Sequence, residues 1–527
     1  MPKEFFITTA IDYTNSAPHI GHAYEKILAD VIARYHRLKG EKVFFLTGVD
    51  QHGQKVQQSA AKAGVPPGEF VKGITQKFVD LWKQLDVQYD AWAATTDPLH
   101  KKCVQEILQR LRDEKTIYKD KQAGYYSVRQ EQFLTDKERG PDGEFGPEWG
   151  EVEFREEENY YFKLSEHKEW LLSYLKNHPG CVAPSFRQTE LINAVEKISG
   201  DLCISRPKSR LDWGIELPFD KTFVTYVWFD ALTNYISFAG YDPSQSTLNS
   251  VKERGSNGAL RSQPSTFRDK WPALQIIGKD ILIPAHGIYW LIMLHALGFP
   301  DEAMPTLLVH GWWNISGAKM SKSLGNVIDP DLLADKYGAE ALRYYLMSDI
   351  ATGKDADFSE ERLISRFNAE LANSLGNLLN RALNMTQRYR SGKLSGRGSG
   401  IIPHISAYEK EMEESSIHTA LERISGYLTG WNQEIDLKKP WILAKDNSQD
   451  GELDSLLYRL SEGLRIAAIL ISPVLPKAAH GVFDQLNWKM ELSGQEKRFL
   501  LDDAKWGGLP DGHVVGKPVP LFPRIEH

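Results

Sequence analysis

Apolar and polar positions near the start of the chain follow first a strand pattern and then a helix pattern. Residues 5–10 form a short apolar run, as expected of a buried parallel strand, and Asn15, Ser16, Ala17 and Pro18 then interrupt it. Apolar side chains next recur at three- and four-residue intervals between positions 23 and 38, which predicts an amphipathic helix that stops at Gly40. Residues 43–47 are the next predicted strand.

The alternation of strands and helices continues to about residue 115, with amphipathic helices predicted over residues 69–85 and 99–111. This order favours a doubly wound parallel sheet. The pattern then changes: strands are predicted at 125–128 and 160–164, a turn-rich stretch at 140–150, an acidic stretch at 151–158, and helices near 170–175 and 189–197. We interpret residues 116–220 as an insertion that splits the α/β fold.

The second half of the sheet resumes at Phe223, with strands predicted at 274–277 and 307–309 and a helix at 281–297, while residues 241–268 resemble a surface excursion. Helical periodicity dominates from about residue 360 and is interrupted at 391–400, which predicts a C-terminal helical bundle. The expected fold class is α/β: a doubly wound Rossmann-like parallel sheet split by a connective insertion, followed by an all-α helical bundle. The predicted domain boundaries are 1–115 for the first half of the sheet domain, 116–220 for the insertion, 221–315 for the second half of the sheet domain, 316–360 for a loop and linking segment, and 361–527 for the helical bundle.

Composition excludes several classes of protein. Hydrophobic content of 42% and charged content of 25% are ordinary for a globular protein, and no apolar run is long enough to span a membrane. The N-terminus lacks a basic-then-apolar targeting signal, so a cytoplasmic protein without membrane association is expected. The three widely spaced cysteines suit a reducing compartment and predict no disulfide framework.

The net charge of -7 argues mildly against nucleic-acid binding by the chain as a whole, because phosphate contacts come from clustered Lys and Arg. A local basic stripe would nevertheless suffice. The candidates lie in the helical half: Arg362, Arg366, Arg381, Arg388, Arg390, Lys438, Lys439 and Lys445. Each of them could equally belong to a solvated helix face, so charge alone decides nothing.

Two short motifs carry the chemistry. His19-Ile20-Gly21-His22 falls where a predicted strand gives way to a helix N-terminus, where free amides and the helix dipole favour phosphate and Gly21 lets a ligand approach the backbone. By itself this is a generic nucleotide-binding unit. Lys319-Met320-Ser321-Lys322-Ser323 follows the predicted strand 307–309, and by itself would be a solvated turn.

Together and in this order, the two motifs resemble the signatures of class I aminoacyl-tRNA synthetases. The resemblance narrows to the methionyl-tRNA synthetase family and spans nearly the whole chain. The segments that carry it are Thr9-Ala10-Ile11-Asp12-Tyr13, Thr47-Gly48-Val49-Asp50-Gln51-His52-Gly53, Tyr226-Val227-Trp228-Phe229-Asp230-Ala231, Gly278-Lys279-Asp280, residues 377–381 and residues 518–526.

The resemblance implies activation of methionine with ATP to methionyl-adenylate, followed by transfer to the 3′-terminal ribose of tRNA(Met), including initiator tRNA. Attack of a carboxylate on the α-phosphorus needs no proton removed, so donors and cations that orient groups and stabilise charge suffice. The implied catalytic residues are His19, His22, Lys319 and Lys322, and those near ATP are Gly21, Gly278, Asp280 and Lys322. Magnesium is expected to accompany ATP.

The resemblance also implies a methionine site. Asp50 would pair with the substrate ammonium group, and Arg206 would support activation. The positions that match the family's pocket are Ile11, Tyr13, Trp228, Tyr235, His286 and Trp290, although each aromatic side chain could equally be core. Between Asp280 and His286 the chain holds one residue more than the family's commoner spacing, through Pro284-Ala285.

For the helical half, the resemblance implies anticodon binding by Asn377, Arg381 and Trp441. Asn377 and Arg381 are four residues apart on a predicted helix and so share a face, whereas Trp441 could instead fill the bundle core. The chain stops at His527 without the additional dimerising domain of some family members, which favours a monomer.

Many family members carry Cys-rich zinc knuckles in the insertion. Here that segment holds only Cys181 and Cys203, and tetrahedral zinc requires four soft, well-spaced ligands, so no structural zinc is predicted.

Three alternatives remain open. Another class I synthetase, such as the cysteinyl or leucyl enzyme, is weakened by the lack of a zinc-binding cysteine site and of room for a large editing domain in about a hundred inserted residues. A paralogue that only binds RNA would not need intact signature motifs. A small-molecule nucleotidylyltransferase shares the histidine motif but would not need the helical half.

Overall fold

The computed structural model describes residues 4–127, 132–134, 136–140, 142–244, 266–315, 317–319, 327–396, 400 and 403–526. Its strands, in chain order, are β1 (Phe5–Thr9), β2 (Asp12–Tyr13), β3 (Val43–Asp50), β4 (Ala91–Ala94), β5 (Ile117–Ser127), β6 (Gln132–Leu134), β7 (Val152–Phe162), β8 (Val182–Ala183), β9 (Leu202–Cys203), β10 (Ser205–Pro207), β11 (Glu216–Leu217), β12 (Asp220–Thr225), β13 (Leu274–Gly278), β14 (Thr306–His310), β15 (Trp313–Ile315), β16 (Ala318–Lys319) and β17 (Ala356–Asp357).

The α-helices are α1 (Ile20–Leu38), α2 (Gln54–Ala63), α3 (Pro67–Gln84), α4 (Pro98–Asp113), α5 (Lys168–Asn177), α6 (Ser185–Val195), α7 (Val227–Ser237), α8 (Phe267–Lys270), α9 (Lys279–Ile281), α10 (Leu291–Ala296), α11 (Pro330–Tyr337), α12 (Ala339–Ser348), α13 (Glu360–Arg366), α14 (Asn377–Arg390), α15 (Ile405–Glu413), α16 (Ile417–Lys438), α17 (Pro440–Leu443), α18 (Asp450–Ile471) and α19 (Pro476–Gln485). Two segments, Leu282–Trp290 and Phe367–Gly376, are π-helical. Across the described residues, no helix is long and apolar enough to cross a membrane.

A parallel sheet forms the centre of the first half, in the order β2-β3-β1-β13-β14-β8, with β4 also paired to β3. Alternate side chains of β1 point to opposite faces, so Ile7 packs in the core that contains α1, and Phe6 packs in the core that contains α4 and α7. Helices therefore cover both faces, and the predicted doubly wound fold is confirmed.

Two further sheets, β6-β5-β7-β9 and β10-β12-β11, follow in the region predicted as an insertion, and the second extends past the predicted end at residue 220 because β12 continues to Thr225. The acidic stretch at 151–158, which the sequence did not predict as a strand, lies in β7, paired with β5 over its whole length. Its exposed acidic side chains alternate with more buried ones, as on a sheet with one solvated face. Strand β8 also lies in this range, yet it pairs with β14 and extends the central sheet.

The C-terminal half is a helical bundle, in which α18 packs against α14, α16 and α19. The bundle shares a continuous apolar core with α1. Within the segment predicted only as a link, residues 316–360, the structure has helices α11 and α12.

A buried ion pair joins the two halves. The Arg343 guanidinium on α12 lies 2.7 Å from the Asp30 carboxylate on α1, and it donates to the carbonyl oxygens of Leu85, Pro473 and Val474.

Candidate active site

A cavity of about 480 Å³ opens at the carboxyl ends of β1, β3, β13 and β14, between the N-terminus of α1 and helix α7. This is where parallel sheets commonly bind ligands. Eleven of the residues predicted from sequence line it: Ile11, Tyr13, His19, Gly21, His22, Asp50, Trp228, Tyr235, Gly278, Asp280 and His286.

The two motif histidines cap α1 and hold each other. The backbone N–H of Gly21 donates to Nδ1 of His19 at 3.1 Å, and the backbone N–H of His19 donates to Nδ1 of His22 at 3.1 Å. Because each Nδ1 accepts a hydrogen bond, the proton of each neutral ring resides on Nε2. The capping box therefore prepares both rings as Nε2–H donors beside a helix N-terminus.

Gly21 also leaves room for the capping ring of His19. A Cβ at this position would lie 3.0 Å from Cε1 of His19, so a larger residue would displace that ring.

The opposite part of the cavity is aromatic and contains one buried polar pair. Nδ1 of His286 lies 2.9 Å from the carbonyl oxygen of Ile281 and must donate to it, so Nε2 accepts from the Tyr235 hydroxyl at 2.7 Å. Burial lowers the pKa of His286 to about 4, which keeps the ring neutral at pH 7. Trp228 lies edge-on to the same imidazole, with ring centroids 6.3 Å apart.

Comparisons with known proteins assign the chain to a family. The family model described as "tRNA synthetases class I (M)" matches residues 5–142 and 149–383. The "Methionine--tRNA ligase" of Caldanaerobacter subterraneus subsp. tengcongensis is 40% identical over 539 residues, covering 100% of this chain and 80% of the relative. The chain belongs to the methionine–tRNA ligase family of class I tRNA synthetases.

Further relatives agree with this assignment. The "Methionine--tRNA ligase" of Lactococcus lactis subsp. lactis is 37% identical over 99% of this chain and 78% of the relative. The structure of "Mycobacterium tuberculosis methionyl-tRNA synthetase in complex with methionyl-adenylate" superposes with a TM-score of 0.86 and 35% identity, covering 99% of this chain and 100% of that chain. The predicted enzyme class, an aminoacyl-tRNA ligase, is confirmed.

The segment before His286 is not a regular helix. The predicted helix at 281–297 was wrong as a single helix: Ile283 has non-helical angles (φ -116, ψ 122), and Leu282–Trp290 forms a π-helix before α10 begins. His286 lies in this π-helical segment and lines the cavity. The predicted difference in spacing from the family stays a prediction.

Two of the predicted residues lie behind the cavity wall. Trp290 is fully buried, with its ring 5.6 Å from that of Tyr235 and its indole N–H donating to Oε1 of Gln275. The Arg206 guanidinium lies over the ring of the cavity residue Tyr226, 4.4 Å from its centroid, and donates to the carbonyl oxygen of Ser205. Both side chains support groups that line the cavity.

Asp50 lies at the carboxyl end of β3. Three residues later, the backbone adopts a conformation and a close contact that only glycine tolerates. Gly53 has φ +107, and a Cβ there would meet the Tyr13 hydroxyl at 2.6 Å. The Asp50 carboxylate accepts a hydrogen bond from the backbone N–H of His52 at 3.3 Å. The backbone carbonyl oxygen of Asp50 accepts a hydrogen bond from the Thr14 hydroxyl.

Sequence reasoning missed a group of charges in the cavity wall. Nζ of Lys26 is fully buried and lies 2.7 Å from Asp12 and 2.9 Å from Glu25, whose other oxygen is 3.0 Å from Nε2 of His310. Burial raises the pKa of Asp12 to about 7, against the attraction of Lys26. His310 ends strand β14, so the position rule that identified His19 would also have identified His310; nothing in the sequence pairs Asp12 with Lys26.

Several other residues that were not predicted as site residues also line the cavity. Ala10, Tyr226, Val227 and Ala231 belong to the named motif segments, whereas no motif marked Lys55, Leu232, Asn234, Ile281, Gly311, Trp312 and Trp313.

The lysine motif is only partly described. The backbone of Lys319 forms β16 and pairs with Asn314 of β15. Lys322 lies outside the described residues, so its predicted role stays a prediction.

The predicted anticodon residues lie on the helical half. Asn377 is exposed at the start of α14, and Nη2 of Arg381, one turn later, lies 2.6 Å from Asp436 on α16. Trp441, on α17 directly after α16, is 44% exposed. The alternative that Trp441 fills the bundle core is therefore wrong.

Proposed function

We propose that this cavity is the site at which methionine reacts with ATP, and that His19 and His22 bind the phosphates while the Tyr235–His286 pair and Trp228 bind the methionine side chain. One observation carries the assignment: two rings prepared as Nε2–H donors and a buried aromatic pocket belong to a single cavity.

The chemistry follows from charge. As the methionine carboxylate attacks the α-phosphorus and pyrophosphate departs, negative charge accumulates on the phosphate oxygens. The Nε2–H groups of His19 and His22 and the N-terminus of α1 stabilise that charge without reorganising, because the capping box already orients them. Lys319 and Lys322 of the lysine motif supply cations to the same phosphates. Gly278 and Asp280 hold the adenosine, and a Cβ at Gly278 would lie 2.8 Å from Oδ1 of Asp280.

The amino acid is selected by both of its ends. Asp50 accepts the ammonium group, and the neutral Tyr235–His286 pair offers a methionine thioether an aromatic, uncharged environment. Arg206 acts through Tyr226, over which it is stacked. In the second step a ribose hydroxyl at the 3′ end of tRNA(Met) attacks the adenylate.

Pyrophosphate exchange with each of the twenty amino acids tests this proposal. Methionine should support exchange at least about 100-fold better than leucine or isoleucine, since the pocket must also reject side chains of similar volume. A His22→Ala variant should lose exchange while its methionine affinity, measured by calorimetry, stays within about threefold. Exchange driven by a different amino acid would refute the assignment.

Magnesium is proposed to enter with ATP, and structural zinc to be absent. Among the described residues, no three His, Cys, Asp or Glu side chains are grouped as metal ligands would be. Purified protein should contain well below one zinc per chain by elemental analysis, and activity should survive strong chelation once magnesium is restored. One tightly bound zinc per chain would contradict this.

A further inference from the structure

A cluster of buried charges lies just outside the cavity, between β3, α4 and α7. Oδ2 of Asp230 is 2.6 Å from Nδ1 of His52, and Oδ1 of Asp230 is 2.8 Å from Nε2 of His100. The side chains of all three residues are 0–3% exposed. Nδ1 of His100 in turn lies 2.8 Å from the Ser237 hydroxyl. Both carboxylate oxygens therefore accept from imidazoles in a place that water does not reach.

This cluster connects the two walls that hold opposite ends of the amino acid. His52 lies two residues after Asp50, and its backbone N–H donates to the Asp50 carboxylate at 3.3 Å. Asp230 lies on α7 between Trp228 and Tyr235, which line the cavity. A single hydrogen bond thus joins the segment that carries the ammonium acceptor to the helix that carries the side-chain pocket.

Burying these charged and polar side chains costs free energy, and their hydrogen bonds are of a kind that holds neighbouring elements at a fixed distance and direction. Burial would raise the pKa of Asp230, but electrostatic interaction with His52 and the hydrogen bonds from His100 and His52 lower it to about 2, so the carboxylate is charged. Apolar packing could fill the same space at lower cost, whereas two charge-assisted hydrogen bonds fix distance and direction. Asp230 does not line the cavity, so its carboxylate acts through His52 and α7.

We propose that Asp230 and His52 are positioning residues that set the separation between the Asp50 carboxylate and the aromatic pocket on α7, and thereby the length of amino acid that the enzyme accepts. The proposal rests on the proposed function, in which Asp50 binds the ammonium group. Ethionine, one methylene longer than methionine at the thioether, is the discriminating probe.

The test is pyrophosphate exchange by Asp230→Asn with methionine, ethionine and ATP varied in turn. Weakening of the hydrogen bond to the charged Asp230 carboxylate should raise the methionine KM about tenfold, while the ATP KM stays within about twofold. The preference for methionine over ethionine, worth about 10- to 200-fold for one methylene in a fitted pocket, should shrink at least threefold. An unchanged methionine KM and an unchanged preference would overturn the proposal, as would an equal rise in the ATP KM.

A rescue pair separates positioning from folding. His52→Asn places an amide nitrogen near the position of Nδ1 and should retain nearly wild-type methionine KM, whereas His52→Ala should behave like Asp230→Asn. Equal behaviour of the two His52 variants would contradict the proposal, even if Asp230→Asn fails to fold. Glu462→Gln is the matched control, because Glu462 is a fully buried carboxylate in the distant bundle, paired with Arg465. It should lower the melting temperature without changing the methionine KM.

Asp50→Asn distinguishes failure of this proposal from failure of the proposed function. If Asp50→Asn leaves the methionine KM unchanged, the ammonium assignment itself is wrong, and the positioning role is overturned with it. If Asp50→Asn raises the methionine KM and Asp230→Asn does not, only the positioning role is overturned.

Discussion

At the scale of single residues, hydrogen-bond direction determines the protonation state of the site. His286 donates from Nδ1 to a carbonyl oxygen and accepts at Nε2 from Tyr235, so a second proton would face a hydroxyl that already donates. The same reasoning assigns the protons of His19 and His22 to Nε2. Position on a strand or helix suggests such residues, but only their partners determine what they can donate.

His286 should make folding stability depend on pH within a defined window. The pKa of His286 is about 4 in the folded chain, and in the unfolded chain it has the ordinary histidine value of 6.5. Between these two pH values the unfolded chain therefore binds more protons than the folded chain. The free energy of unfolding should therefore fall as pH drops from about 6.5 to about 4, by roughly 2–3 kcal/mol from this residue at pH 4.5. Denaturant titrations at pH 7 and pH 4.5 should show a smaller drop for His286→Gln than for wild type. Equal drops would exclude this protonation state.

Lys322 should matter for the transition state more than for binding. If Lys322 acts as proposed, replacing it with Ala removes a cation that the developing charge on the phosphates requires, so methionine-dependent pyrophosphate exchange should fall about 100-fold with methionine affinity nearly intact. Lys354, a lysine outside the cavity-lining set, provides the control, and Lys354→Ala should exchange normally. If Lys322→Ala exchanged at the wild-type rate, the loop would have no part in the mechanism.

At the scale of elements, helix ends and irregular turns present the candidate functional residues. The N-terminus of α1 presents the histidines, the π-turn at Leu282–Trp290 presents His286, and the short helix α17 presents Trp441. Asn377 and Arg381 were predicted to share one face of a helix, and α14 begins at Asn377. The π-turn could not be foreseen, because an apolar run such as residues 281–297 fits a regular helix equally well.

Helix α17 should contribute to tRNA recognition without contributing to activation. Trp441 is 44% exposed beside the basic residues Lys438 and Lys439, and a stacked base is worth about 1–3 kcal/mol. Trp441→Ala should therefore reduce aminoacylation of tRNA(Met) about 10- to 100-fold through weaker tRNA recognition, while pyrophosphate exchange stays close to wild type.

Trp431 supplies the matched control for that experiment, because it lies on the preceding helix α16 but is only 4% exposed. Trp431→Ala should lower the melting temperature, whereas Trp441→Ala should not. Parallel losses of aminoacylation and exchange in Trp441→Ala would show that this tryptophan does not read tRNA.

At the scale of the whole molecule, α1 links the sheet to the helical bundle. The same helix presents His22 to the cavity and, two turns later, Asp30 to Arg343. Arg34 also pairs with Asp30 at 2.7 Å, and Arg343 reaches carbonyl oxygens at the end of α18. Through these contacts the bundle is held in a fixed relation to the helix that carries the two motif histidines.

Removing only one partner of that ion pair should be severe. Arg343→Met leaves Asp30 buried with one cation fewer and should destabilise folding by about 3–5 kcal/mol in denaturant titrations. The double variant Arg343→Met/Asp30→Asn should recover part of the loss, because it no longer buries an uncompensated carboxylate. A double variant as unstable as the sum of the two single variants would show that the pair is not coupled.

The sequence by itself determined the fold class, because local periodicity shows strands alternating with helices, and a parallel sheet brings the carboxyl ends of its strands to one edge. The eleven predicted residues that line the cavity came from the motifs and from the family resemblance that the motifs carry. The resemblance on named motifs supplied the family, and the comparisons confirmed it.

Only the tertiary structure decided which side chains meet. Three ion pairs could not be read from the sequence, because nothing in it shows that their members meet. They are Asp12 with Lys26, His52 with Asp230, and Arg343 with Asp30, and each is fixed by burial between elements. Tertiary packing also placed Trp290 behind Tyr235 and left Trp441 at the surface. Periodicity reports which face of an element is apolar, whereas charge pairing, protonation and exposure depend on what the neighbouring elements bring to that face.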